Sequence, residues 1–292
     1  MSPALPEAVQ GLRPLRVVAV QAESIAGDVV ANVAVASHWV KEAARESAHL
    51  VVLPELFLSG YDPETLRLRA ADCDVRLGDE RLRPLQRAAQ DHRTAVLVGA
   101  SVCASDHARA LGLLSVTQAG EVSLAYAKQH LWREERTIFA PGTDGASVEL
   151  HDWQIGLGIC YDGCFPEHAR AASDAGALAY VCPSAYVVGS EHRRDLYYAA
   201  RALDNAIYVV IAGLVGRCGS LDFSGGTAIY DPQGRPIARV ESGTGMAIGD
   251  LDVESIAAAR AINPYGEDRP PSLGGRRISV LDAPATTGKI RP

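Results

Sequence analysis

Three residues able to do covalent or acid–base chemistry each close an apolar run: Glu55 after LVVLP, Lys128 after VSLAYA and Cys160 after IGLGI. In α/β sheets ligands bind at the carboxyl ends of strands, so a carboxylate, an ammonium and a thiol placed there can meet in one cleft. Taken singly, each has a plainer reading. A cysteine in an apolar run is usually a packing residue, and a strand-end lysine usually snorkels to water. It is their company that singles these residues out.

The elements around Cys160 are the most legible. Trp153, Ile155, Leu157 and Ile159 alternate as one face of a strand, with Gln154, Gly156, Gly158 and Cys160 on the other. Two glycines on the cysteine's face call for a close approach there, by a substrate or by a packed neighbour. Pro166 suits the first turn of a helix and Gly176 its end, so the chain turns from strand to helix at Cys160. Backbone N–H groups and a helix N-terminus in that position favour a thiolate.

Upstream, the pattern predicts a strand over 16–21, a helix from the N-cap Asp28 to about 48, and a covered strand over 50–53. Residues 56–78 read as loop, 81–92 as helix and 95–103 as strand. A hairpin follows over 111–118 and 122–128, with Val122, Leu124, Tyr126 and Lys128 on one face. A polar segment, 129–145, carries Glu134 and Glu135. Downstream, strands are expected over 178–182, 207–215, on either side of YDPQGRP, and over 246–251. The helix over 191–206 is expected to bury Leu196, Ala199, Ala200, Leu203 and Ile207, and a last helix spans 253–262. Hairpins interleaved with βα units indicate an α/β domain with mixed sheets. Residues 1–262 are expected to form one domain with its core at about 14–262. Prolines and glycines mark 263–292 as a tail, wrapped over that domain or docked on a neighbouring subunit.

Composition narrows the function. The 292 residues are 48% hydrophobic and 22% charged, with a net charge of -7. That balance argues against a nucleic-acid or anionic-membrane surface. No apolar run approaches a membrane span and the first residues lack a signal peptide's apolar stretch, so a cytoplasmic protein is expected. The six cysteines contain no CxxC and read as reduced thiols. The eight histidines show no HExxH or zinc spacing, so neither metal nor cofactor is expected.

From about Val17 to Leu251 the sequence resembles the nitrilase superfamily of carbon-nitrogen hydrolases. The resemblance rests on LVVLPELFLSGY, YAKQHLWREERTIFAPG, GICYDGCFPE, RALDNAIYVV and SGGTAIYDPQG, in that order. It implies a four-layer αββα sandwich with two mixed β-sheets and a catalytic triad of Glu55, Lys128 and Cys160. A second family glutamate lies before the Phe139-to-Gly142 element, and counting back four residues from Phe139 selects Glu135. Glu134 then reads as a solvated charge. A thiolate suits attack on a poor amide electrophile; Glu55 would act as its base, and Lys128 with the backbone N–H of Tyr161 would stabilise the oxyanion. Many members dimerise by packing sandwich on sandwich, so a homodimer or higher homo-oligomer is expected.

The pattern CYDxxFPE around Cys160 looks like the amidase-type branches, which release ammonia from a small primary carboxamide. The alternatives are hydrolysis of an N-carbamoyl (ureido) amide, a nitrilase, or a catalytically silent binding module on the same scaffold. Tyr61, Ser184 and Ala185 are candidates for the substrate pocket wall. Cys164, Arg201 and Asn205 read as structural.

Overall fold

The computed structural model describes residues 11–103 and 109–278. Part of the expected domain (1–10 and 104–108) and part of the expected tail (279–292) lie outside the described residues. In chain order the first half contains β1 (Leu15–Gln21), α1 (Val29–Arg45), β2 (Leu50–Val52), α2 (Pro63–Leu68), α3 (Ala70–Cys73) and β3 (Asp74–Val75). It continues with α4 (Arg83–His92), β4 (Ala95–Cys103), β5 (Arg109–Val116) and β6 (Val122–Ala127). Then come β7 (Ala146–Leu150), β8 (Trp153–Leu157), α5 (Pro166–Asp174), β9 (Ala179–Val181), α6 (Glu191–Asn205) and β10 (Tyr208–Ile211). The chain closes with β11 (Val215–Cys218), β12 (Leu221–Ser224), β13 (Ala228–Tyr230), β14 (Pro236–Arg239), β15 (Gly245–Leu251), α7 (Val253–Ile262) and α8 (Tyr265–Asp268).

Thirteen of these strands build two mixed sheets, and β11 and β12 pair with each other. The first runs β15-β1-β2-β4-β5-β6 with β3 added on β4, and the second runs β14-β13-β10-β9-β8-β7. The second sheet is covered on both faces. Val210 of β10 joins the core shared with the first sheet, whereas Val209 and Ile211 pack with Ala169, Tyr198 and Ala202 under α5 and α6. On the first sheet's side α1 buries Val33, Ala36, Val40 and Ala43. The layers are therefore helix, sheet, sheet and helix, the four-layer αββα order. No helix among the described residues is long and apolar enough to cross a membrane.

Strand direction explains why the reactive residues converge. β1, β2 and β4 are parallel, and the antiparallel steps from β4 to β5 and β5 to β6 return β6 to the same direction. Glu55 after β2 and Lys128 after β6 thus leave one edge of the first sheet. β8, β9 and β10 are likewise parallel, with Cys160 following β8. The bridge between Ala22, after β1, and Leu214, after β10, brings the two carboxyl edges together at one end of the sandwich.

Several expectations need correction. Residues 56–78 are not plain loop, because Asp62 accepts the Thr65 N–H at 3.0 Å and Pro63 opens α2. β7 falls in a stretch that was given no element. In β6 the register shifts, with Leu113 opposite Tyr126 and Leu114 opposite Leu124, leaving Ala125 as a bulge. The single face drawn through Val122, Leu124, Tyr126 and Lys128 is broken there, and the bulge re-aims the last two inward. In α6 the buried face is Arg194, Tyr198, Arg201, Ala202 and Asn205, whereas Leu196 and Leu203 are exposed. Hydrogen bonding decides that face: Arg194 Nη1 donates to Gly225 O at 3.0 Å, Tyr198 OH to Cys160 O at 3.0 Å and Arg201 Nε to Gly163 O at 3.1 Å. Burying such donors without acceptors would cost more than exposing two leucines.

Candidate active site

After β2 the chain crosses the first sheet at Pro54. Gly99 of β4 makes this crossing possible, because a Cβ there would sit 2.7 Å from Glu55 Cα and 2.4 Å from Leu56 N. Leu56 then takes the left-handed conformation, φ 49°, and Glu55 is driven fully into the interior. Lys128 is also buried rather than snorkelling. Its Nζ donates to Glu55 Oε1 at 2.6 Å and to both oxygens of Glu135 at 2.9 Å. Glu135 sits in the 3-10 helix Arg133–Thr137 and accepts two further bonds, from Tyr61 OH at 2.5 Å and from Trp132 N at 2.6 Å. The other oxygen of Glu55, Oε2, is buried without a hydrogen-bond partner.

Cys160 faces this cluster from the second sheet. It opens the 3-10 helix Cys160–Cys164 in a left-handed conformation, φ 45°, while its N–H donates to Pro183 O at 2.9 Å. A β-region strand end would be the relaxed alternative, and a non-glycine residue held here stores about 1–3 kcal/mol of strain. The Cys160 thiol is close enough to Glu55, and the Ala185 N–H close enough to the sulfur, to shift the proton affinity of its neighbour. Gly156 of β8 and Gly158 just after it serve packed neighbours rather than a ligand: a Cβ on Gly158 would lie 1.9 Å from Tyr180 OH, and one on Gly156 2.6 Å from Ala172 Cβ.

Burial dominates the electrostatics. It raises the Glu55 carboxyl to about 7, against the opposing pull of the Lys128 charge. Burial by itself would lower Lys128, but Glu55 and Glu135 outweigh it and hold the ammonium charged well above its ordinary range. The Cys160 thiol is pushed well up, first by burial and then by the Glu55 carboxylate, with Lys128 and the Ala185 N–H opposing. The thiolate expected from a helix N-terminus is therefore not the resting form. The arrangement holds a protonated thiol beside a carboxyl that gains and loses its proton near neutrality.

Cys160 forms part of the wall of a cavity of about 420 Å³, together with Tyr61, Trp132, Tyr161, Ala185 and Phe223. Glu55 and Lys128 lie behind it. Ser184, expected on the wall, is not there: it is fully buried, donating to Cys182 O at 2.9 Å and meeting Tyr198 OH at 2.8 Å. Glu134 and Cys164, read as a solvated charge and a structural thiol, both line the cavity. Arg201 and Asn205 hold α6 and its neighbours, Asn205 Nδ2 donating to Arg201 O at 2.7 Å. Sequence reasoning gave no part to a network of the buried Asp162 and Tyr126 with the partly buried His130 and His168. Side-chain atoms of His130, Asp162 and His168 lie within 4.8 Å of one another, close enough to hold a metal ion. The Tyr126 hydroxyl occupies that space, 2.8 Å from Asp162 Oδ2 and 2.9 Å from His168 Nε2, and supplies the hydrogen bonds instead.

The two-sheet αββα sandwich is matched by the comparisons with known proteins. The carbon-nitrogen hydrolase family model matches residues 16–261, and the chain belongs to that family as a carbon-nitrogen hydrolase. Its relatives include a protein of Pseudomonas protegens described as a hydrolase in the pqqF 5' region, 32% identical over 91% of this chain and 92% of that protein. The deaminated glutathione amidase of Escherichia coli O157:H7 is 32% identical over 83% of this chain and 94% of its own length. Among solved structures, the amidase of Nesterenkonia sp. AN1, with the acetamide moiety of fluoroacetamide on its active-site cysteine, superposes with a TM-score of 0.76. It is 25% identical and covers 89% of this chain and 99% of its own.

Proposed function

We propose that the protein hydrolyses a small primary carboxamide to a carboxylate and ammonia through a thioester on Cys160. The observation that carries this reading is the unpartnered, buried Glu55 Oε2 beside the Cys160 thiol at the wall of the cavity. Glu55 Oε2 takes the thiol proton as sulfur attacks the carbonyl carbon. The oxyanion that forms is met by the Lys128 ammonium and the Tyr161 N–H. Glu55 returns the proton to the leaving nitrogen, ammonia departs and the thioester remains. Glu55 then deprotonates a water that attacks the thioester carbonyl, and the proton ends on the Cys160 sulfur as the acid leaves. Glu135 holds Lys128 in place from below, itself anchored by Tyr61 OH and Trp132 N. A carboxyl near 7 can act as base and as acid in one cycle at neutral pH.

The amidases among the relatives and the solved structures support this reaction class. Cys73, Cys160, Cys164, Cys182 and Cys218 are free thiols, which supports a reducing, cytoplasmic setting. The exposed Leu196 and Leu203 of α6 support a homodimer, which light scattering tests. For the reaction, ammonia release is measured from panels of primary amides, ureido compounds and nitriles, with Cys160→Ala alongside. Turnover of an amide that vanishes in Cys160→Ala is the expected result. Release from ureido compounds alone moves the reading to a carbamoyl hydrolase, and residual hydrolysis by Cys160→Ala removes the nucleophile assignment.

A further inference from the structure

We propose that Asp162 is a positioning residue that sets Cys160 and Lys128 in register across the two sheets. This rests on the reading of those side chains as nucleophile and oxyanion donor. Asp162 is fully buried, two residues after Cys160. Its Oδ1 accepts from His130 N at 2.9 Å and lies 2.8 Å from His130 Nδ1. Its Oδ2 accepts from Ile159 N at 3.0 Å and from Tyr126 OH at 2.8 Å. Tyr126 and His130 stand two residues on either side of Lys128, and Ile159 and Asp162 bracket Cys160. One carboxylate thus ties the two segments at points that straddle both reactive side chains.

The same residue closes a tight ring around the strained backbone. Asp162 N–H donates to Ile159 O at 3.0 Å while Ile159 N–H donates back to the Asp162 carboxylate, so the left-handed Cys160 is held from both flanks. His130 is in turn fixed by stacking on Phe165, with ring centroids 3.9 Å apart and planes at 17°. Neither Asp162 nor its donors line the cavity that holds Cys160. Its influence on the reaction therefore runs through where Cys160 and Lys128 sit.

Only a carboxylate serves all four groups. In Asp162→Asn one oxygen becomes an NH2, and whichever way the amide turns it faces a backbone N–H, that of His130 or that of Ile159. One of the two segments loses its anchor. The expected result is a loss of kcat of about 100-fold, the scale of a misplacement of about 1 Å, with KM changed by less than about threefold. Alkylation of Cys160 by iodoacetamide should change in rate in the same variant. Val40→Ala, a cavity in α1 on the opposite outer layer, controls for lost stability and should keep kcat. Should Asp162→Asn fail to fold, Tyr126→Phe removes one donor while leaving both backbone anchors, and a loss of kcat of about tenfold at constant KM is expected. Wild-type kcat in a folded Asp162→Asn protein, or in Tyr126→Phe, overturns the proposal. So does a loss that appears equally in kcat and KM, or one that Val40→Ala reproduces at matched melting temperature. Activity surviving in Cys160→Ala would instead overturn the catalytic reading beneath it.

Discussion

Replacing Glu55 by glutamine should abolish turnover and, above neutral pH, make the protein more stable. The sign follows from the carboxyl itself. Its pKa is raised on folding from 4.5 to about 7, so the folded state binds this proton more tightly than the unfolded chain does. Stability contributed at this site is full below the unfolded value and is lost as pH rises through the window from 4.5 to about 7. At about 1.36 kcal/mol per pH unit, the whole window amounts to about 3 kcal/mol. Most of it falls between pH 5 and pH 8, where the wild type should lose about 2–3 kcal/mol relative to Glu55→Gln, which has nothing to titrate there. The charge count gives the same sign. With Glu55 ionised, the buried set of Glu55, Lys128 and Glu135 carries one net negative charge, and the glutamine leaves it neutral. Urea denaturation of both proteins near pH 5 and near pH 8 measures this difference directly. A stability gap that does not widen with pH, or that widens in favour of the wild type, would refute the assignment of a raised carboxyl at Glu55.

Three further outcomes follow from the same geometry. The acid limb of kcat/KM should rise through pH of about 7 as Glu55 becomes a base, and in Glu135→Gln it should move to lower pH by about one unit, because a neighbouring negative charge is gone and Lys128 is left to Glu55; a pH–rate profile of both proteins checks this, and an upward move contradicts it. Tyr61→Phe removes the 2.5 Å donor to buried Glu135 and should cost about 1–3 kcal/mol in chemical denaturation, with a fall in kcat as Glu135 loosens its hold on Lys128. Cys160→Gly should be more stable than Cys160→Ala by about 1 kcal/mol, since glycine adopts the positive φ of this position without strain; equal melting temperatures for the two would show that the turn is not strained.

What could be read from the sequence was whatever depends on local pattern. Glu55, Lys128 and Cys160 were placed at strand ends because alternation and terminating prolines are visible in short windows, and parallel strands bring their ends to one edge. The αββα order came from resemblance, not from alternation. Tyr61, Tyr161 and Ala185 do reach the cavity, but Ser184 points to Tyr198, which a two-residue period cannot foresee. The buried face of α6 was misread because apolarity was taken as the mark of burial, whereas Arg194, Tyr198 and Arg201 are buried to satisfy carbonyls. The burial of Lys128 depended on two carboxylates, one 73 residues away, and the part of Asp162 on donors 32 and 36 residues away. Such partners leave no trace in spacing.

The pairing of β1 with β15 joins the first strand of the chain to one of its last, from Leu15 opposite Leu251 to Gln21 opposite Gly245. A ribosome therefore releases β2, β4, β5 and β6, with Glu55 and Lys128 at their ends, long before the strand that completes their sheet exists. Cys160 follows on the other sheet, and Leu251 emerges only after both. Nascent chains stopped short of residue 245 would carry every reactive side chain of the site while the first sheet still had β1 as a bare edge. Such an edge invites pairing with another chain, so truncation from the carboxyl end should produce aggregation before it produces an inactive soluble enzyme.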